Sequence, residues 1–397
     1  MPRPAIGLAD IFRQHGEAYR AAHRLPREQT RVMRAIETCR TAVLGGHVEK
    51  CSRCDHTRIS YNSCRNRHCP KCQGSDRLKW LESRQEELLP VEYFHVVFTV
   101  PEQIARIAFH NKREVYGILF ATASQTLSTI ARDPKHLGAE PGFFAILHTW
   151  GQNLLHHPHL HCVVPGGGLS PDRRQWIGCP KGFFLAVRVL SRLFRRLFLE
   201  ALEKAHQKGK LRFSGDLGSL ADSDSFRRYL QPLRKAEWVV YSKPPFGGPQ
   251  QAIRYLGRYT HRVAISDRRI LKARDGSVTF QWKDYRHKEK HNSREMTVEA
   301  EEFIRRFLLH VLPPGFPRIR YYGFLANRNR QQMLALCRKL LTEPTTELLP
   351  EPARCREIAK ALDLRQPTPC PHCRQGVMRR VGFVAAYLWP MKPPDSS

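Results

Sequence analysis

The sequence predicts an α+β fold built on a largely antiparallel sheet, with a small cysteine-rich module ahead of it. Three observations predict this. Runs rich in β-branched and aromatic residues, "YFHVVFTVP", "GFFAILHTW" and "HLHCVVPGGG", read as strands and are mixed with amphipathic helical stretches. They are mixed without the regular βαβ alternation that a doubly wound parallel sheet needs. Residues 47–75 are rich in Cys, His, Arg and Asn and poor in apolar residues, so that segment cannot bury a core of its own and requires a metal.

The elements follow in order. Residues 1 to about 45 are helical, with "REQTRVMRAIETCRTAVLGG" ending on a glycine pair. After the cysteine-rich segment, "SDRLKWLESRQEELLP" is a charged helix stopped by Pro90. The strand "YFHVVFTVP" comes next, and residues 102–132 are helical. Residues 142–150 and 159–168 are two further strands with a loop between them. "FFLAVRVLSRLFRRLFLEALEKAHQKG" is a long amphipathic helix whose Phe, Leu and Val stripe faces the core. "SDSFRRYLQPLRKA" is a short helix, and "EWVVYSKPP" is a strand ended by prolines. "GPQQAIRYLGRYTHRVA" opens with Pro249, a good first-turn residue, and carries a helical pattern. "RILKARDGSVTFQWKD" is a hairpin turning at Asp275-Gly276, and "EAEEFIRRFLLHVLPPGF" is a helix closed by two prolines. These elements suggest three domains: 1–90, helical and zinc-binding; 91–335, carrying the sheet; and 336–397, a Pro-rich polar tail with a CxxC pair.

With 397 residues and 41% apolar content, the chain can bury a sizeable core. Lys plus Arg number 66 against 36 Asp plus Glu, a net charge of +30. The excess runs through the whole chain and points to a polyanionic partner, nucleic acid first of all. The opening "MPRPAIGLADIFRQHGEAYR" has no apolar core of a secretory signal, and the apolar runs are too short to span a bilayer. The expected setting is cytoplasmic, at the nucleoid when DNA is bound, with no membrane partner. The sequence is silent on oligomeric state. In that reducing setting the twelve cysteines, where closely paired, read as metal ligands rather than disulfides.

Cys51 and Cys54 form one C-x2-C, and Cys69 and Cys72 form another. Together they read as a single tetrahedral four-thiolate Zn²⁺ site, each pair biting the metal through its own tight turn. His47, His56, Cys64 and His68 are interleaved among them and are alternative ligands or parts of a second site. Arg53, Arg58, Arg65, Arg67, Lys71 and Arg77 surround the cluster, a charge pattern suited to a module lying on a phosphate backbone. Cys370 and Cys373 make half a site, for which Cys355 or His372 are completing candidates.

The stretch "HHPHLHCVV" at residues 156–164 carries a second metal signal. In an extended strand, residues two apart face the same way, so His159 and His161 project together while Leu160 points into the core. Two imidazoles on one face make a bidentate platform for a divalent ion. Pro158 is expected to end the strand register, which leaves His156 and His157 as loop residues. Hard ions such as Mg²⁺ or Mn²⁺ want more donors, and His148 in "LHTWGQ" reaches the same face if its strand is a neighbour. Farther on, Tyr255 and Tyr259 share one helix face, with Arg258 and Arg262 in a parallel row and His261 beside them. A tyrosine pair alone fits core packing; the flanking cations argue against a purely apolar face.

Taken together, "LHTWGQNLLHHPHLHCVVPGGG", "YLGRYTHRVAIS", "CRNRHCPKCQ" and "EEFIRRFLLHVLPPGFPRIRYYGFL" resemble the two-tyrosine rolling-circle insertion-sequence transposases of the HUH superfamily. The resemblance covers roughly residues 10–335. It implies an HUH-type catalytic domain, a central antiparallel sheet flanked by helices, with the histidine pair on a middle strand. It implies cleavage and rejoining of single-stranded DNA, with His159 and His161 holding the divalent ion and Tyr255 and Tyr259 as nucleophiles. The third ligand is left open, with His148 the proposal from the residues. Arg65, Arg67, Lys71, Arg258, His261 and Arg262 would then contact DNA, and Trp150 and Trp282 are available for base stacking. A relaxase or replication initiator on the same core, and a non-enzymatic zinc-containing DNA-binding protein, are the competing readings.

Overall fold

The computed structural model describes residues 6–182, 184–243, 263–283, 293–342 and 368–387, with the backbone alone for 74–79, 82 and 243. Along the chain, α1 (Leu8–Ala22) and α2 (Arg27–Glu37) precede β1 (Gly46–Cys51), β2 (Thr57–Tyr61) and α3 (Pro70–Gln85). Next come β3 (Tyr93–Thr99), α4 (Glu102–His110), α5 (Lys112–Arg132), β4 (Gly142–Trp150) and β5 (His156–Pro165). A short ribbon, β6 (Gly167–Leu169) and β7 (Trp176–Gly178), leads to α6 (Val187–Gln207), α7 (Ser223–Lys235) and β8 (Val240–Lys243). Then follow β9 (Ile270–Arg274), β10 (Ser277–Lys283), β11 (Ser293–Glu299) and α8 (Ala300–Leu308). The described chain closes with β12 (Ile319–Gly323), α9 (Arg330–Thr342) and β13 (Met378–Val384). The helix expected over "GPQQAIRYLGRYTHRVA" lies outside the described residues.

The fold is mixed α+β with antiparallel sheets, as the strand and helix patterns predict. Described residues within 79–260 and 312–347 form one compact unit, and those within 1–78, 261–311 and 348–397 form the other. Each unit gathers segments that are distant along the chain. The reason is that apolar stripes choose partners by fit rather than by chain order. In the unit holding both chain-terminal segments, α1 buries Leu8, Ile11 and Phe12, and α8 buries Phe303, Ile304 and Phe307. Phe12 meets Phe307 edge-on at 5.4 Å, and Phe303 meets Phe280 of β10 at 5.7 Å. The sheet behind them has the order β11-β10-β9. Its first turn sits at Asp275 and Gly276, with φ of 50° and 73°, the double left-handed geometry of a tight hairpin.

The other unit is built on a five-stranded antiparallel sheet of order β12-β4-β5-β3-β8, with β5 in the middle. Every residue of β4 is buried. One face carries Phe94, Val96, Phe98, Leu147, Leu160, Cys162 and Val164 into the main core, where α5 and α6 supply Leu119, Phe120, Phe194 and Phe198. The opposite face starts with Tyr93, Phe144, Ile146 and Val163, covered by Trp80, Leu88 and Tyr321, and the Trp80 indole N–H donates to Tyr321 Oη at 3.2 Å. The late block contributes the edge strand β12, whose Gly323 ends the pairing with φ of 57°. A Cβ there would stand 1.7 Å from the Pro141 carbonyl oxygen, so only glycine fits.

Contrary to the expectation for Pro158, β5 continues through it to His156. The proline is tolerated because β3 has already ended opposite His159, and β4 bulges between His148 and Trp150. His156 is thus a strand residue with a structural role. Its Nδ1–H donates to the Ala105 carbonyl at 3.1 Å, and Tyr116 Oη donates to its Nε2 at 2.7 Å. Burial, with the nearby Lys112 charge, lowers its pKa from the ordinary 6.5 to about 3.

Two outcomes follow. Leu160→Ala removes a fully buried side chain between the two strand histidines. We expect a loss of about 2–5 kcal/mol in urea unfolding followed by circular dichroism; an unchanged midpoint would contradict this packing. For His156, the folded pKa lies below the unfolded one, so the unfolded chain takes up the proton first as pH falls. The stability it lends is complete above about pH 6.5 and is lost progressively toward pH 3. His156→Gln should flatten that acid limb in a series of melting curves, and an identical pH dependence in both proteins would count against it.

Candidate metal centres

The register of β5 places three histidines on one face of the sheet. His148 lies directly opposite His159, and Ile146 opposite His161. Cross-strand partners in an antiparallel pair face the same side, so His148, His159 and His161 project together, with Leu160 and Leu147 on the reverse. Their ligating atoms lie within 4.8 Å of one another. His148 and His161 are buried and His159 is half-buried, so the group opens toward His159. Trp150, brought round by the bulge, stacks on His148 at 4.6 Å and 18°.

The rings are oriented by their own hydrogen bonds. His159 Nδ1–H donates to the His157 carbonyl at 2.7 Å, which turns Nε2 toward the group. His161 Nδ1 lies 2.7 Å from His95 Nε2, and the two rings stack at 5.0 Å and 13°. If His161 ligates through Nε2, its Nδ1 carries the proton and His95 accepts it. His95 is buried on β3, which flanks β5 on the side opposite β4. Sequence reasoning passed over it, because a lone histidine in an apolar run reveals its face only once the register with β5 is known. Three imidazoles converging on one point suit a divalent cation, with the remaining positions open to oxygen donors.

Tyr255 and Tyr259 lie outside the described residues, as do Arg258, His261 and Arg262. Trp282 is on β10, in the unit that does not contain the histidines.

The cysteines group differently from the expected Cys51-Cys54-Cys69-Cys72 set. Cys69 and Cys72 join Cys39 and Cys64, while Cys51 and Cys54 join Cys370 and Cys373. The β1–β2 hairpin explains the division. Cys51 and Cys54 sit at its closed tip, whereas Cys39 and Cys64 lie where the chain enters and leaves its open end. Its five paired positions, at about 3.3 Å each, hold tip and base roughly 16 Å apart, too far for one tetrahedral site. At the base, Cys72 Sγ lies 3.6 Å from both Cys39 and Cys64 Sγ, and Cys69 and Cys72 occupy the start of α3. Contacts among these thiols push Cys72 well below the ordinary thiol range, lower Cys39 to about 7, and push Cys64 and Cys69 up. A cation held by the four sulfurs would take the place of the protons they share.

Among the described residues no histidine joins either thiol group. His47 instead pairs with the Glu49 carboxylate at 3.2 Å, which Arg58 also holds at 2.6 Å. His56 stacks on His372 at 5.8 Å, His68 is buried next to Cys69, and Cys355 lies outside the described residues. Arg65 is exposed with a left-handed φ of 52°, beside half-buried Arg67 and Lys71, around the first thiol group. Burial lowers the Arg67 pKa. No helix of the described residues is long and apolar enough to cross a membrane.

Comparison with known proteins identifies the family of the chain. Residues 142–332, which hold the three histidines and span Tyr255 and Tyr259, match a family described as "Putative transposase". Residues 11–100 match a "Transposase zinc-binding domain". The chain is 60% identical over 400 residues to "Putative transposase y4qJ" of Sinorhizobium fredii (strain NBRC 101917 / NGR234), covering 100% of each. It is 28% identical over 293 residues to "Transposase for insertion sequence element IS801" of Pseudomonas savastanoi pv. phaseolicola, covering 73% of this chain and 68% of that one. Matched from end to end by one such relative and in two segments by the family patterns, the chain belongs to the IS91/IS801-type rolling-circle transposases of the two-tyrosine class, with an N-terminal zinc-binding domain.

Proposed function

We propose that the chain cleaves and rejoins single-stranded DNA at the ends of a transposable element through 5′-phosphotyrosine intermediates. The observation that carries this reading is the convergence of His148, His159 and His161 on the middle of an antiparallel sheet, inside the segment that matches the transposase family. A relaxase or replication initiator could use the same core; the zinc-binding domain and the full-length relative favour the transposase.

A phosphodiester resists attack because its anionic oxygens repel nucleophiles. His148, His159 and His161 would hold a divalent ion, Mg²⁺ or Mn²⁺, which would supply Lewis-acid neutralisation of the phosphate charge. His95 would keep the His161 ring in its ligating orientation by accepting a hydrogen bond from its Nδ1–H. Tyr255 or Tyr259 then attacks. Tyrosine is a poor nucleophile with a pKa near 10 until its oxyanion is stabilised, a role that suits Arg258 and Arg262. The phenol oxygen forms the new bond to phosphorus, and the bond from phosphorus to the 3′-oxygen breaks. The phenol loses its proton and the departing 3′-oxygen gains one. The phosphodiester bond energy is kept in the phosphotyrosine, so a 3′-hydroxyl can reverse the step on another strand. Two tyrosines allow two 5′ ends to be held in succession. Zinc at Cys39, Cys64, Cys69 and Cys72 would stiffen the N-terminal module, and Arg65, Arg67 and Lys71 would track phosphates there.

Incubation with labelled single-stranded element-end DNA and Mg²⁺ or Mn²⁺ should give a protein–DNA adduct that survives SDS. Tyr255→Phe combined with Tyr259→Phe should abolish it; an adduct persisting in that variant would refute the nucleophile assignment. His159→Ala with His161→Ala should remove cleavage and leave DNA affinity nearly unchanged, since phosphate contacts supply most of it. Cleavage at the wild-type rate in that variant would remove the metal site from the mechanism. His95→Ala should weaken Mn²⁺ binding about 10–100-fold in a paramagnetic-resonance titration. His95→Gln, which keeps an acceptor, should recover most of it. Equal affinity in all three proteins would show that His95 has no part in positioning.

A further inference from the structure

We infer that Cys51, Cys54, Cys370 and Cys373 form a second zinc site, assembled from opposite ends of the sequence, through which the C-terminal segment completes the zinc-binding module. The two cysteine pairs lie more than 300 residues apart, yet Cys51 Sγ is 3.7 Å from Cys373 Sγ and Cys54 Sγ is 3.7 Å from Cys370 Sγ. All four sulfurs are within 4.8 Å of one another, the crowding expected of a tetrahedral thiolate cage.

The backbone around them is shaped to present sulfur. Each C-x2-C bends so that an amide N–H points at a thiol: Arg53 N–H donates to Cys51 Sγ at 3.3 Å, and Gly376 N–H donates to Cys373 Sγ at 3.3 Å. Such donors stabilise a ligating thiolate. The second knuckle is closed by Cys370 N–H donating to the Gly376 carbonyl at 2.8 Å, with Arg374 in a left-handed φ of 56°. A Cβ on Gly376 would come within 2.4 Å of Cys51 Sγ, so this glycine is what lets the second knuckle close over the first.

The knuckles are also fixed to each other through the sheet. β13 pairs with β1 along its whole length, with Met378 opposite Cys51, giving the order β13-β1-β2. Ser52 and Val377 exchange hydrogen bonds, Ser52 N–H to the Val377 carbonyl at 3.0 Å and Val377 N–H to Ser52 Oγ at 3.1 Å. Two hairpin-borne knuckles held side by side are the arrangement of a zinc ribbon. Four thiolates select zinc over hard cations and give the site a net negative charge, which exposed Arg53 and Arg374 offset. A four-thiol group within residues 39–72 already accounts for one zinc, so this one is additional and does not depend on how the strand chemistry is assigned.

The full chain carrying His159→Ala and His161→Ala, which removes the imidazole site, should contain two zinc ions by elemental analysis when purified with zinc and without chelator, one per thiol group. Cys370→Ser with Cys373→Ser should reduce this to one. Cadmium-exchanged wild-type protein should show two ¹¹³Cd resonances of all-thiolate character. Cys373→His, which keeps a donor and so guards against simple misfolding, should shift one resonance and leave the other in place. In that background, one zinc with all four cysteines present or two zincs retained with the double serine change would overturn the inference, as would both resonances unmoved by Cys373→His. So would a wild-type chain whose four cysteines resist alkylation as two disulfides.

Discussion

The register of β5 between β3 and β4 is the constraint on which the histidine face depends. Leu160 is driven into the core by its neighbours Leu147 and Phe98, and once it is buried the alternation of the strand leaves His159 and His161 no choice of side. The same register brings His148 from one flank and His95 from the other. A slip of one residue would bury both strand imidazoles among Phe side chains and turn Leu160 outward. Hydrophobic burial thus does the positioning here, and the polar chemistry takes the face that burial leaves over.

Thiol chemistry organises the other unit by a different route. Its small sheet has little apolar surface: β2 is alternately exposed along its length, and Phe383 of β13 is 81% exposed. What burial cannot supply, two compact thiol groups at opposite ends of one hairpin can, since one draws three chain segments to a point and the other two. Where α1 meets α8 in the same unit, the contact is apolar, as in the Phe12–Phe307 pair.

Local patterns in the sequence reached as far as local physics reaches. The alternation in β3, β4 and β5, the Asp275-Gly276 turn and the shared face of His159 and His161 all follow from periods of two residues and from the conformational needs of a tight turn. His148 was within reach because its strand is adjacent in the chain as well as in the sheet. Partner choice over distance was not legible. A C-x2-C states how two thiols bite a metal, but nothing in it states which second pair will complete the cage; hairpin length and the β1–β13 pairing decide that. Likewise the stripe on α8 shows that it will be buried, without showing that α1 will bury it. Pro158 misled because a proline is costly only where its missing N–H is wanted, and here the flanking strand had ended.

The pairing of β1 with β13 also has a temporal side. A ribosome adding about 5–20 residues per second needs on the order of tens of seconds to travel from Cys51 to Met378. Throughout that interval one edge of β1 and one half of a thiolate cage stand open. Cys39, Cys64, Cys69 and Cys72 are all made early and can close at once. The nascent chain therefore passes through a stage with a finished base and an unfinished tip, exposed both to adventitious strand addition and to the wrong metal. Closure of the tip waits on the synthesis of Cys370, Cys373 and β13, and a chain halted before them would carry that open edge permanently.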